Sequence, residues 1–327
     1  MAAAAVVRSQ EVDQVGREVA IPHHLQDGDE FQTSVPDLIR YGKKLFDARF
    51  TIEEGAGRPL TKGTGEPLSD PSSPLSFPRN NNRISGPDSN SCSGCHNQPI
   101  SGGAGDLSTN VFVLGQRFDF ATFDANDVVV TQGAVDERDR AVTLQSIANS
   151  RSTIDMFGAG YYEMLARQIT ADLQHIRDGI PAGARAPLRS KGISFGVLAR
   201  NVEGSWNTSA VEGLPPQSLA SAGAQQPPSS LILPFHQAAS TVSLRVFTND
   251  AFNQHHGMQS TERFGMGTDP DGDEVVNELT RADITPATIF QAALPVPSRS
   301  LPESATLRNA AVEGERLFAQ IGCASAR

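Results

Sequence analysis

The chain has 327 residues, long enough for two domains, with 38% hydrophobic residues, 29 glycines and 21 prolines. That composition describes a loop-rich protein with modest cores, organised around something other than apolar bulk. A formal net charge of −10 with no dense Lys/Arg run argues against nucleic acid as a partner, three cysteines are too few for a disulfide framework, and no apolar run reaches the length of a membrane span.

Residues 1–35 are polar and without periodicity, which predicts an extended N-terminal arm. From Pro36 the pattern becomes helical: Leu38, Ile39, Leu45 and Phe46 recur at helical spacing, and proline suits a first turn. Residues 53–91 are crowded with Gly, Pro, Ser and Asn and predict a long loop. Pro99 and the Ser101–Gly105 run predict a tight excursion, and Val111–Leu114 fits a short strand or a buried loop equally well. The clearest helix covers about 159–178, where Tyr162, Leu165, Ile169, Leu173 and Ile176 share a face and Gly179 and Pro181 supply stop signals. Residues 181–232, rich in Ala, Gly, Ser and Pro, predict surface loop. An ordered block follows at 234–266, and helical patterns return near 281–293 and 305–320. The fold class expected is mainly α and loop-rich.

The stretch that carries chemistry is Cys92-Ser93-Gly94-Cys95-His96. As half of a zinc site it would need a second Cys/His pair at comparable spacing, and none appears. As a redox Cys-x-x-Cys it would not need His96. As a haem attachment site it is complete: each thiol adds across a vinyl group and the following histidine reaches the iron. Tyr41-Gly42-x-x-Leu45-Phe46 is echoed by Glu313-Gly314-x-x-Leu317-Phe318, and each copy precedes a cysteine, Cys92 in the first and Cys323 in the second. The chain ends Cys323-Ala324-Ser325-Ala326-Arg327, where the second copy lacks the second cysteine and the histidine, so Cys323 is read as the remnant of an attachment site.

Three further groups are candidates. His255-His256-Gly257-Met258 places two histidines and a thioether in a polar setting, which suits His255 and His256 as catalytic groups and Met258 as an iron ligand. Asp269, Asp271, Asp273 and Asn277 lie at the spacing of a calcium loop, although Glu274 occupies the usual glycine position and Thr280 the place of the closing carboxylate. Arg151 is a candidate partner for a haem propionate.

Together, Gly42-x-x-Leu45-Phe46, Cys92-Ser-Gly-Cys95-His96-Asn97-x-Pro99, the Gly102-Gly103-x-Gly105 run, Arg151…Gly158-Ala-Gly160 and the terminal Gly314-x-x-Leu317-Phe318…Gly322-Cys323 resemble the di-haem oxidoreductase family, relatives of the bacterial di-haem cytochrome c peroxidases. The resemblance implies cytochrome c-like haem domains with long irregular excursions: an arm over 1–35, a haem domain with large insertions over 36–300, and the start of a second, truncated domain over 301–327. The cysteine motif and the resemblance both imply covalent haem c, and covalent attachment implies a periplasmic or other extracytoplasmic location although no signal segment is visible; the acidic loop by itself adds a calcium ion as an option. Redox proteins or a small oxidant such as peroxide are the implied partners. Peroxidase-like turnover would need the second haem site, which Cys323 alone does not supply. Two alternatives remain: a mono-haem electron carrier, and a calcium- or zinc-stabilised binding protein without haem.

Overall fold

A computed structural model describes residues 18–56, 83–85, 91–105, 110–113, 150–235, 241–270 and 273–325. Residues 1–17 of the expected arm and most of the expected 53–91 loop lie outside them. The chain divides into two units, Met1–Leu294 and Pro295–Arg327. Among the described residues helix outweighs strand, in keeping with a mainly α, loop-rich class. No helix among them is long and apolar enough to cross a membrane.

The first unit is built on a helix crossing. Helix α1, Val35–Asp47, starts where the Ser34 hydroxyl accepts a hydrogen bond from the Asp37 amide at 3.3 Å, with Pro36 in the first turn. It buries Leu38, Gly42, Leu45 and Phe46. Its main partner lies far along the chain, the helix Arg281–Ala292. That helix opens on a reciprocal cap: the Thr280 hydroxyl accepts from the Asp283 amide at 3.0 Å, and the Asp283 carboxylate accepts from the Thr280 amide at 2.9 Å. The crossing point is Gly42. A Cβ there would stand 1.9 Å from the Pro286 carbonyl oxygen and 2.8 Å from the Phe290 Cβ, so only glycine admits the approach.

Helix α2, Ala159–Asp178, coincides with the expected 159–178 and begins after Gly158 in a left-handed conformation. Its far half buries Ile169 and Leu173 against a three-stranded antiparallel sheet. Strands β4 (Arg185–Ser190), β5 (Ile193–Arg200) and β6 (Trp206–Asn207) lie within the segment expected to be surface loop. The reason for the departure is local. Ser190 pairs with Ile193 across Lys191 and Gly192, both at positive φ, the two-residue turn that suits the twist of a hairpin. Leu188, Phe195 and Leu198 then supply the buried face. A second, smaller sheet comprises β1 (Arg83–Ser85), β2 (Asn110–Val113) and β3 (Ser150–Ser152), which settles Val111–Val113 as strand. After a short helix α3, Pro216–Leu219, the ordered block consists of α4, Leu244–His256, and the single turn α5, Thr261–Phe264. The crossing partner of α1, Arg281–Ala292, is α6.

The described part of the arm, from residue 18, is tied down rather than free. The Ala20 and Ile21 amides donate to the Glu54 carboxylate at 2.9 and 2.8 Å, and Ile21 joins Leu45, Phe50, Phe252, Met258, Leu279 and Ile284 in the main apolar cluster. A second anchor is Asp283, wholly buried, whose carboxylate accepts from His24 Nδ1 at 2.7 Å, the Tyr41 hydroxyl at 2.9 Å and the Leu25 amide at 3.2 Å. Four donors on one carboxylate offset the cost of removing its charge from water. The Tyr41 hydroxyl is pushed well above its ordinary range, first by burial and then by the charge of Asp283.

In the second unit, α7, Ala305–Gln320, is followed by a single turn at Cys323–Ser325, and α7 buries no residue.

Candidate functional site

Cys92–His96 folds as one tight turn set against the end of α1. The Cys95 and His96 amides donate to the Cys92 carbonyl at 3.1 and 2.9 Å, and the Gly94 amide donates to the Ser91 hydroxyl at 2.9 Å. The Ser93 amide reaches back to the Phe46 carbonyl at 3.1 Å. The Gly-x-x-Leu-Phe helix therefore holds the cysteine motif directly, through Phe46. Ser101 adds a second tether by donating to Asp47 at 2.7 Å.

The glycine run after the motif has a steric cause. The chain doubles back so that the Asn97 and Gln98 amides donate to the Ala104 carbonyl at 3.0 and 2.7 Å. A Cβ on Gly103 would fall 2.0 Å from the Gln98 carbonyl oxygen, and Gly102 sits at φ 89° against Leu294. This fold-back returns Gly102 beneath the motif, where its amide donates to the His96 carbonyl at 2.9 Å.

His96 is fixed by its ring. Its Nδ1 lies 2.9 Å from the Ile154 carbonyl oxygen, which can only accept, so the hydrogen sits on Nδ1 and Nε2 keeps its lone pair. Burial pushes the imidazole below its ordinary value, which keeps the ring neutral at pH 7. A neutral imidazole with Nδ1 hydrogen-bonded to a backbone carbonyl is the form in which histidine binds a metal through Nε2.

Cys92 and Cys95 carry thiols rather than a disulfide. Cys92 packs against the apolar cluster of Phe46, Phe290 and Leu294. Burial, and then the neighbouring Cys95, push its thiol up to about 12. Its Sγ lies 3.3 Å from Nε2 of His256, the last residue of α4. His256 is buried and lies against the Phe50 and Phe252 rings, at centroid distances of 6.3 and 6.1 Å.

Of the sequence candidates, then, the structure brings His256 to the cysteine motif across 164 residues. His255 stands beside it, half-buried, with the two rings 6.5 Å apart. Met258 points elsewhere: it is fully buried in the apolar cluster of Leu45, Phe252 and Leu279, where it fills core volume. The acidic loop spends its oxygens on its own backbone. Asp269 accepts from the Asp273 and Glu274 amides at 3.1 and 3.0 Å, Asp273 from the Val275 amide at 2.8 Å, and Asn277 from the Gly267 amide at 2.7 Å. Asp271 lies outside the described residues, and among those described no three His, Cys, Asp or Glu gather as a metal site. Arg151 occupies the middle of β3, in register with Val111.

Cys323 belongs to the second unit and is exposed. Its preceding helix keeps the repeat's spacing without its burial: nothing lies within 4 Å of a Cβ on Gly314, and Leu317 and Phe318 are exposed.

Sequence reading missed the Ile154 carbonyl, which orients His96, and Phe290, whose ring packs 5.2 Å from that of Phe46. A backbone acceptor leaves no side-chain signal, although Ile154 directly precedes the Asp155–Gly160 turn. No family model matches this chain, and neither a curated protein nor a solved structure does.

Proposed function

We propose that this chain is a c-type cytochrome that takes covalent haem c through Cys92 and Cys95, with His96 as the axial ligand, and that its role is electron transfer in an oxidoreductase of the di-haem peroxidase-like kind. The observation that carries the reading is the 2.9 Å bond from His96 Nδ1 to the Ile154 carbonyl, which presents Nε2 for ligation on a residue adjoining two thiols. The residues fit the group in chemistry as well as spacing: the imidazole is neutral, the thiols are not paired with each other, and Phe46, Phe290 and Leu294 give the first thiol an apolar neighbourhood suited to a porphyrin edge.

Haem would supply an iron that cycles between ferrous and ferric states. This chain's residues do the rest. The Ile154 carbonyl fixes the tautomer and orientation of His96. Ser91, Phe46 and Asp47 hold the turn so that both sulfurs keep their places on it. The apolar packing beside Cys92 would lower the polarity next to a bound redox centre, which favours its less charged, reduced state. A periplasmic setting and redox-protein or peroxide partners belong to the same proposal, since covalent attachment takes place outside the bacterial cytoplasm.

The test is production of the chain in a periplasm equipped for haem attachment. The expected outcome is a pyridine haemochrome spectrum of haem c and an intact mass exceeding the polypeptide by one haem. A mass equal to the bare polypeptide from cells that mature a control cytochrome would overturn the proposal.

A further inference from the structure

The carbonyl that holds the His96 ring comes from Ile154, 58 residues further along the chain, so the two strands need a spacer that fixes their separation. The glycine run after the cysteine motif touches both. On the motif side, the Gly102 amide donates to the His96 carbonyl at 2.9 Å. On the other side, the Gly105 amide donates to the Thr153 carbonyl at 3.0 Å, and the Met156 amide donates to the Gly102 carbonyl at 2.8 Å. Thr153 and Met156 bracket Ile154. The glycine run therefore grips the chain just before and just after the carbonyl that meets the imidazole.

The two strands come closest at Gly105. A Cβ there would stand 2.7 Å from the Thr153 Cβ, 3.0 Å from its Oγ1 and 3.1 Å from the Cys95 carbonyl oxygen. Gly105 is not among the glycines at positive φ, so the position uses its missing side chain and not its backbone freedom. Thr153 bears on it by shape: the residue is buried, and among the described residues its Oγ1 has no hydrogen-bond partner. Ordinary contact between carbon atoms is about 3.5 Å, so a methyl group at 105 would drive Thr153 away from Cys95 and His96 by about 0.8 Å. A shift of that size carried to the next residue would take the 2.9 Å bond from Nδ1 to the Ile154 carbonyl out of hydrogen-bonding range.

We infer that Gly105 is a positioning residue for His96. By admitting Thr153 against Cys95, it sets the Ile154 carbonyl on Nδ1 and so fixes which ring nitrogen is left for ligation. The inference rests on the reading of His96 as axial ligand. An imidazole whose Nδ1–H is bound to a carbonyl is the stronger donor through Nε2, so the separation of the two strands also sets the strength of the ligand.

The test uses the full chain, haem-free, with its histidines labelled with nitrogen-15 at pH 8. The parent His96 ring should show one tautomer, with hydrogen on Nδ1, and Gly105→Ala should lose that preference. Gly105→Ala with Thr153→Gly removes the Cβ and Oγ1 that the methyl would meet and should recover the Nδ1–H tautomer. Gly105→Ala with Thr153→Ala keeps the obstructing Cβ and should not. A change in stability alone would leave the tautomer of a folded chain where it was. Gly105→Ala folded as the parent by circular dichroism and still in the Nδ1–H form overturns the inference, as does a folded Thr153→Gly double variant without that form. If Gly105→Ala does not fold, hydrogen exchange in the parent decides: the ring Nδ1–H should be protected to the same degree as the Gly105 and Met156 amides. Exchange of the ring hydrogen while those amides stay protected overturns the inference. Once the chains carry haem, the reduction potential should rise in Gly105→Ala and return to the parent's in the Thr153→Gly double variant, because a weaker ligand favours the ferric state less. Equal potentials in all of them overturn the inference. A parent chain that takes up no haem fails the axial-ligand reading instead, and the tautomer contrast still decides the role of Gly105.

Discussion

Gly42→Ala offers the sharpest test of the helix crossing, because helix propensity and packing predict opposite signs. In a free helix the change should stabilise by about 1 kcal/mol, as glycine is that much poorer than alanine in a helix interior. Here the added methyl would lie 1.9 Å from the Pro286 carbonyl oxygen, 2.5 Å from its carbon and 2.8 Å from the Phe290 Cβ. Ordinary contact distances are about 3.5 Å, so α1 and α6 must part by roughly 1.5 Å. A gap of that order forfeits at least half of the dispersion contacts along the seam, where Leu45 and Phe46 are almost wholly buried. Overpacking costs about 1–3 kcal/mol, and the obstacle here is backbone, which yields least. Set against the propensity gain, a net loss of about 2 kcal/mol is expected. The assay is urea denaturation of the haem-free chain by tryptophan fluorescence and far-UV circular dichroism, with Gly314→Ala as the paired control. Nothing lies within 4 Å of the Gly314 position, so there the propensity term should act alone, as a small rise in helicity. A Gly42→Ala chain as stable as the parent, or more so, would refute the close crossing.

Other expectations concern charge. Asp283→Ala removes the shared acceptor of His24, Leu25, Tyr41 and Thr280 and should cost about 3 kcal/mol by denaturant midpoint. The same change should expose the chain around Ile21 to limited proteolysis, and an unchanged digestion pattern would show that the arm is held elsewhere. Because burial lowers the His96 pKa below 6.5, the unfolded chain binds the proton more readily. The neutral ring's contribution is therefore complete above about pH 6.5 and declines as pH falls through the interval down to the folded value; His96→Gln should flatten that part of the stability profile. Cys92 behaves in the opposite sense at high pH. Its thiol ionises near 12 when folded against an ordinary 9.0, so stability should fall as pH rises above about 9, and Cys92→Ala should remove that slope.

Much of the helical frame is legible in the sequence, and particular residues show why. Pro36 behind a serine, Gly179 before Pro181, and Thr280 three residues before Asp283 are local signals whose physics is complete within one turn. The sheet at 185–207 was hidden because Ala, Gly, Ser and Pro dominate its surroundings. Its two telling features are small, the Lys191-Gly192 pair and two scattered apolar residues, Phe195 and Leu198, that the strand buries without a regular alternation. The acidic loop has the same locality: spacing that would cage a cation also suits carboxylates that cap nearby amides, as Asp269 does. The cysteine motif is legible because its chemistry is contained in five residues. Its neighbours are not, since no local pattern announces that His256 will meet Cys92, or that the adjacent Met258 will enter the core instead.

The separation between α1 and its partner has a consequence for how the molecule is made. The bond from Tyr41 to Asp283 spans 242 residues, and Leu45 and Phe46 are buried around the same crossing. At about 5–20 residues per second, a ribosome needs roughly 12–50 s to deliver α6 after α1 has emerged. For that interval the amphipathic face of α1 has no covering helix, and the sticky half of the crossing waits in the open beside the cysteines. The nascent chain is thus built to stay incomplete until late, and any factor that shields Leu45 and Phe46 during synthesis should raise its yield.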